Sequence, residues 1–182
     1  MKNLIILLFF LSLVHTGKSQ NTTTMYLVRH AEKVTTDPAN KNPLLTEQGQ
    51  KRAKDLAKKL KKQQILAIYS TDFQRTKLTV QPLADKKQLT VKIYEPKQLK
   101  SFTTMILQEN KGGKVLIVGH SNTVLETIEA LGVARPIKEI LDNEYDYFFT
   151  VEVAENGTAT VKVEHYGAKN LITNDVQMIK NN

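Results

Sequence analysis

Leu27-Val28-Arg29-His30-Ala31-Glu32-Lys33 decides how the rest of this chain is understood. Met25 to Val28 is short, β-prone and almost free of polar groups, the pattern of a buried strand. At its end the chain passes within one step to a cation, an imidazole, a small residue, a carboxylate and a second cation. A buried strand that delivers Arg29 and His30 at its carboxyl end suits an open α/β sheet, where ligands bind beyond those ends. Alone, the Arg-His pair fits equally well a satisfied histidine beside a surface arginine.

Residues 20–24, a Gln, an Asn and three threonines, read as a frayed end before that strand. After it, residues 33–44 form a polar loop containing the turn-forming pairs Asp37-Pro38 and Asn42-Pro43. Thr46 is placed to cap a helix with Glu47 in its first turn. Ala53, Leu56, Ala57 and Leu60 then give an apolar stripe against a lysine-rich back. Gly49 weakens that helix, which implies a close approach by neighbouring backbone. Ile65 to Tyr69 is a second strand, and Phe73, Thr76, Val80 and Leu83 mark a second helix. Asp72 is read as its cap, and Pro82 is expected to kink or end it.

Residues 90–94 suggest a third strand, and Leu99, Phe102, Met105 and Ile106 a third helix. Gly112-Gly113 breaks the chain before Lys114 to Val118, its most strand-like run. Gly119-His120-Ser121-Asn122 then opens a helix carrying Val124, Leu125, Ile128 and Leu131, an arrangement that turns backbone N–H groups toward an anion. Residues 132–145 are irregular, and two alternating strands close the chain at about 146–153 and 158–165. A loop of Glu155-Asn156-Gly157 pairs Val153 with Ala159, Val151 with Val161 and Phe149 with Val163, which keeps apolar residues on one face. Strands alternating with helices predict a three-layer α/β/α sandwich, its central sheet mostly parallel with a C-terminal antiparallel hairpin.

Three further stretches accompany Leu27-Val28-Arg29-His30: Leu45-Thr46-Glu47-Gln48-Gly49 with Arg52-Ala53, Tyr69-Ser70-Thr71-Asp72-Phe73-Gln74-Arg75-Thr76, and Val118-Gly119-His120-Ser121-Asn122. In content, order and spacing they resemble the histidine phosphatase superfamily, also called phosphoglycerate mutase-like, over roughly residues 25–131. The likeness is greatest to small single-domain bacterial members with an Arg-His-Ala-Glu-Lys signature, although the commoner family motif is Arg-His-Gly. The resemblance implies the same sandwich. It also implies that His30 is a nucleophile that becomes phosphohistidine and that Arg29, Arg75 and His120 form the phosphate pocket. No metal or other cofactor is implied.

The residue chemistry agrees. A histidine attacks phosphorus through a neutral nitrogen, which an ordinary pKa of about 6.5 makes common at neutral pH. Arg29 and Arg75 offer permanently charged planar forks to phosphate oxygens, with His120 and amides near Ser121 and Asn122 as further donors. Many relatives also carry a carboxylic acid that protonates the leaving group, between the second arginine and the second histidine. Their usual motif is not recognisable here; Glu95, in Tyr94-Glu95-Pro96, is the candidate proton donor, with Glu32 and Asp72 behind it. The expected activity is metal-independent hydrolysis of phosphomonoesters. The alternatives are a phosphohistidine protein phosphatase, whose imidazole leaving group needs no acid, and a phosphate-binding module without catalysis.

Met1-Lys2-Asn3, the apolar run Leu4 to Val14 and the small-residue exit Gly17-Lys18-Ser19 have the anatomy of a secretory signal, with an uncleaved anchor as the competing reading. Residues 1–19 are therefore expected to be a signal peptide and 20–182 the catalytic domain, periplasmic or secreted and without stable membrane association after cleavage. The absence of cysteine excludes disulfides, thiolate metal sites and a cysteine nucleophile. A formal charge of +8, lowered by loss of Lys2 and Lys18, favours small anionic, phosphorylated substrates. The lysines at 54, 58, 59, 61 and 62 have no interleaved aromatics, so they are read as a solvated face and not as a nucleic-acid surface.

Overall fold

Side chains alternate between the faces of a strand, so Met25 and Leu27 enter one core while Tyr26 and Val28 enter another. In the computed structural model, which describes residues 21–169, these four lie in β1 (Thr23–Arg29). There follow α1 (Glu47–Leu60), β2 (Ile65–Ser70), α2 (Gln74–Lys87), β3 (Val91–Ile93), α3 (Leu99–Glu109), β4 (Lys114–Gly119), α4 (Ser121–Ala130), β5 (Tyr147–Val153) and β6 (Ala159–His165). One six-stranded sheet has the order β3-β2-β4-β1-β5-β6. The first four strands are parallel, β5 is antiparallel to β1, and β6 is antiparallel to β5. Leu56 and Leu60 of α1 and Val80 and Leu83 of α2 fill one core, while Phe102 and Ile106 of α3 and Val124 and Ile128 of α4 fill the other. The fold is the three-layer sandwich expected.

The C-terminal hairpin has the expected register, with Val153 opposite Ala159, Val151 opposite Val161 and Phe149 opposite Val163. Gly157 supplies the left-handed residue of its loop, at φ +84. Thr46 accepts the Gly49 N–H at 3.1 Å as the cap of α1. A Cβ on Gly49 would stand 2.2 Å from the Glu32 carbonyl oxygen, which is the close approach its place in the first turn implied.

Three expectations need correction. Thr23 and Thr24 are not frayed: they are buried in β1 and pair with Val153 and Glu152, and Thr23 Oγ1 accepts the Gly112 N–H. Pro82 does not end α2, which runs on to Lys87. It removes one backbone donor, while Val80, Leu83 and Ala84 keep the helix packed on the core. Asp72 does not cap α2; Phe73 holds that position, and the Asp72 carboxylate pairs with Lys77 at 2.8 Å.

The topology also fixes where a ligand can bind. β1 and β4 are neighbours, yet the chain leaves β1 toward α1 on one face and β4 toward α4 on the other. That divergence opens a crevice at their carboxyl ends. No helix among the described residues is long and apolar enough to cross a membrane. The export signal read in residues 1–19 lies outside the described residues.

Candidate active site

His30 follows β1 and His120 follows β4, so the crevice receives one imidazole from each strand. The His30 N–H donates to the Gly119 carbonyl at 2.9 Å, extending the ladder by one bond and fixing the spacing of the two segments. The rings lie 5.5 Å apart, edge to face. His30 is 3% exposed, and its Nδ1 is 2.8 Å from the Ala31 carbonyl oxygen. A carbonyl only accepts, so Nδ1 carries the proton and Nε2 keeps the lone pair. Burial depresses His30 to about 3; Arg29, His120 and Arg75 push the same way, against the bond to Ala31. The ring is neutral at physiological pH.

His120 is the opposite tautomer. Thr76 Oγ1 donates its proton to a carbonyl, of Thr71 or Phe73, so it accepts from Thr71 Oγ1 at 3.1 Å. Thr71 Oγ1 therefore accepts from His120 Nε2–H at 3.0 Å. Burial, then Arg75, Arg29 and Lys33, lower His120 to about 4. One imidazole thus keeps a lone pair on Nε2 while the other spends its Nε2 proton on Thr71, both uncharged.

Arg29 ends β1 and is 4% exposed. Its Nη1 donates to the carbonyls of Leu141, Asp142 and Glu144 at 2.6, 3.2 and 3.0 Å, and its guanidinium lies 4.4 Å from the Tyr145 ring centre. Arg75, in the first turn of α2, lies 4.3 Å from the Phe73 ring centre and reaches the Lys41 carbonyl at 3.3 Å. Burial lowers the pKa of both guanidiniums, and Arg29 further lowers that of Arg75, as two facing cations do. The Nε atoms of both are buried and have no hydrogen-bond acceptor among the described residues. Two arginines so placed are suited to an anion with several oxygens.

Arg29, His30, Arg75 and His120 therefore come together. The other candidates do not all join them. Ser121 and Asn122 open α4 beside His120, but the Asn122 amide turns along the helix to Glu126 at 3.4 Å. Glu95 is exposed, follows the edge strand β3, and accepts the Lys97 N–H at 3.1 Å. Glu32 is held by Arg52, whose Nη2 is 2.7 Å away. Among the described residues, no group of three His, Cys, Asp or Glu side chains could hold a metal ion.

Sequence reasoning assigned no role to several residues of the site. Thr71 and Phe73, which contact His120, belonged to a recognised motif, and that membership was the signal available. Tyr145, 6.0 Å from His30 by ring centres, and the carbonyls that hold Arg29 come from an irregular segment with no periodicity to mark them.

Residues 25–96 match the sequence model of the histidine phosphatase superfamily (branch 1). Over that segment the chain is similar to the superfamily. No curated protein sequence matches the chain. Among solved structures, the protein histidine phosphatase SixA, complexed with tungstate, is similar at 17% identity and a TM-score of 0.64, over 78% of this chain and 96% of that one. YhfR of Bacillus stearothermophilus is 19% identical with a TM-score of 0.65, covering 80% and 98%. A mycobacterial glucosyl-3-phosphoglycerate phosphatase is 13% identical with a TM-score of 0.64, covering 81% and 100%. At these identities the likeness shows a shared fold, which continues beyond the matched segment.

Proposed function

We propose that the protein is a metal-independent phosphatase that hydrolyses phosphomonoesters through a phosphohistidine on Nε2 of His30. The observation that carries the reading is the pairing of a neutral His30, its lone pair fixed on Nε2, with Arg29 and Arg75 across the same crevice. In the first step Nε2 attacks phosphorus and the bond to the ester oxygen breaks, the departing alkoxide taking its proton from Glu95, the candidate donor, or from water. In the second, water attacks phosphorus, the P–N bond breaks, and phosphate leaves. The guanidiniums balance charge on the non-bridging oxygens throughout, as preorganised cations do in phosphoryl transfer, and His120 joins them only by turning its Nε2–H from Thr71 Oγ1 to a phosphoryl oxygen. Net positive charge draws anionic substrates, and removal of residues 1–19 would place the enzyme outside the cytoplasm. Pure protein should turn over a chromogenic phosphomonoester, and His30→Ala should leave almost no turnover. EDTA should have no effect and vanadate should inhibit. Full activity in His30→Ala, or loss to EDTA restored by a divalent ion, contradicts the reading.

A second reading is favoured by the placement of the carboxylates. Glu95 is exposed beyond an edge strand, Glu32 is paired with Arg52 and Asp72 with Lys77, so none is placed at His30 to protonate an alkoxide. A phosphoramidate such as phosphohistidine has a leaving nitrogen that departs without such help, and SixA, a protein histidine phosphatase, shares the fold. A kcat/KM for a phosphohistidine peptide far above that for an alkyl phosphate, with Glu95→Gln unchanged, would select this reading. Loss of alkyl phosphate turnover in Glu95→Gln would select the first.

A further inference from the structure

Thr79 lies on the second turn of α2, is 0% exposed, and touches neither imidazole nor guanidinium in any contact described above. Its single hydroxyl nevertheless joins the two halves of the site. It donates to the Arg75 carbonyl at 2.7 Å and accepts the Ala31 N–H at 2.9 Å. Ala31 is itself 0% exposed, and its carbonyl is the group that holds His30 Nδ1–H. Both backbone groups of Ala31 are therefore committed, one to α2 and one to the nucleophile's ring.

We propose that Thr79 is a positioning residue: its hydroxyl sets the tautomer of His30, through Ala31, and the distance between His30 and the turn of α2 that bears Arg75. The inference rests on the proposed role of His30 for its effect on turnover, but not for its effect on the ring. A hydroxyl is required because only a group that donates and accepts at once can serve a carbonyl on one side and an N–H on the other. Valine has the same shape and does neither, so the Ala31 N–H would be buried without an acceptor. The peptide then rotates to find another partner, the Ala31 carbonyl leaves Nδ1, and the lone pair is no longer confined to Nε2. A neighbouring feature of α2 fits this task. Pro82 deprives the Leu78 carbonyl of its usual helical donor one turn on, so this part of the helix is held less by its own ladder and more by contacts such as Thr79 to Ala31.

The test compares wild type, Thr79→Ser, Thr79→Val and Thr79→Ala, the last giving a second folded variant without the hydroxyl should valine not be tolerated. In wild type the nitrogen NMR spectrum of His30, assigned by its loss in His30→Ala, should show Nδ1 protonated and Nε2 bare. The hydroxyl-free variants should show a tautomer mixture, with kcat lowered about a hundredfold, the loss expected of a small misplacement, and KM changed much less. Thr79→Ser should restore the single tautomer and most of kcat. An unchanged His30 spectrum in a folded hydroxyl-free variant overturns the inference, whatever the activity. A tautomer mixture with undiminished turnover would keep the positioning role and instead defeat the claim that His30 is the nucleophile.

Discussion

A histidine in water near neutral pH divides its proton between two nitrogens and two charge states; His30 and His120 do neither. Burial holds them neutral, to about 3 and about 4, and the Ala31 carbonyl and Thr71 hydroxyl assign opposite tautomers. The consequence for stability has a definite sign. The unfolded chain takes up protons on these residues near pH 6.5, whereas the folded chain does so only near the lowered values, so stability is full above about 6.5 and falls as pH drops below it. Unfolding free energies from urea titrations should decline from pH 7 to pH 5, by up to about 1.4 kcal/mol per pH unit for each ring, with the midpoints falling accordingly. Midpoints independent of pH across that range would contradict two buried neutral imidazoles. Arg75→Ala should lower kcat/KM about 10²- to 10³-fold, as loss of a preorganised charged donor does, and Arg75→Lys should recover part of it without the planar fork. Equal activity in the two variants would remove Arg75 from the charge balance. These residues were legible in the sequence because reactive side chains followed strand-like runs. Tyr145 was not, since the segment serves the site largely through carbonyls, which every residue possesses.

At the scale of elements, what could be read was whatever depends on local pattern. The apolar stripe of α1, the cap at Thr46 and the hairpin register are each fixed by a few neighbouring side chains. What escaped depends on distant partners. Thr23 and Thr24 are ordered by β5, more than a hundred residues away, and α2 survives Pro82 because packing outweighs one lost bond. Gly49 shows the same competition in reverse. Alanine there should gain about 1 kcal/mol of helix propensity, yet its Cβ would meet the Glu32 carbonyl oxygen at 2.2 Å. Backbone on backbone cannot yield easily, so Gly49→Ala should destabilise by about 1–3 kcal/mol in thermal or urea unfolding. A stabilised variant would show that α1 can move away from Glu32 at no cost.

Over the whole molecule, Arg52 ties three distant parts together. It grips Glu32, two residues beyond the proposed nucleophile, and donates to the carbonyls of Tyr166 and Ala168, each at 2.9 Å, where the chain leaves β6. Arg52→Leu would bury the Glu32 carboxylate unpaired and should cost about 3–5 kcal/mol, read by urea unfolding; a loss below 1 kcal/mol would mean that Glu32 escapes to water. Export is proposed separately, from the small residues Gly17 and Ser19: if they direct cleavage after Ser19, N-terminal sequencing of the exported protein should begin at Gln20. A mature chain beginning at Met1 would defeat that expectation. The sandwich, its crevice and the four convergent side chains come to one chemical claim, that phosphate passes through His30. The direct measurement is to quench turnover rapidly in base and map the phosphoryl group by mass spectrometry. One phosphoryl group on the peptide containing His30, stable in base, lost in acid and missing from His30→Ala, is the predicted result. Turnover without any phosphorylated protein, or the group on another residue, would contradict it.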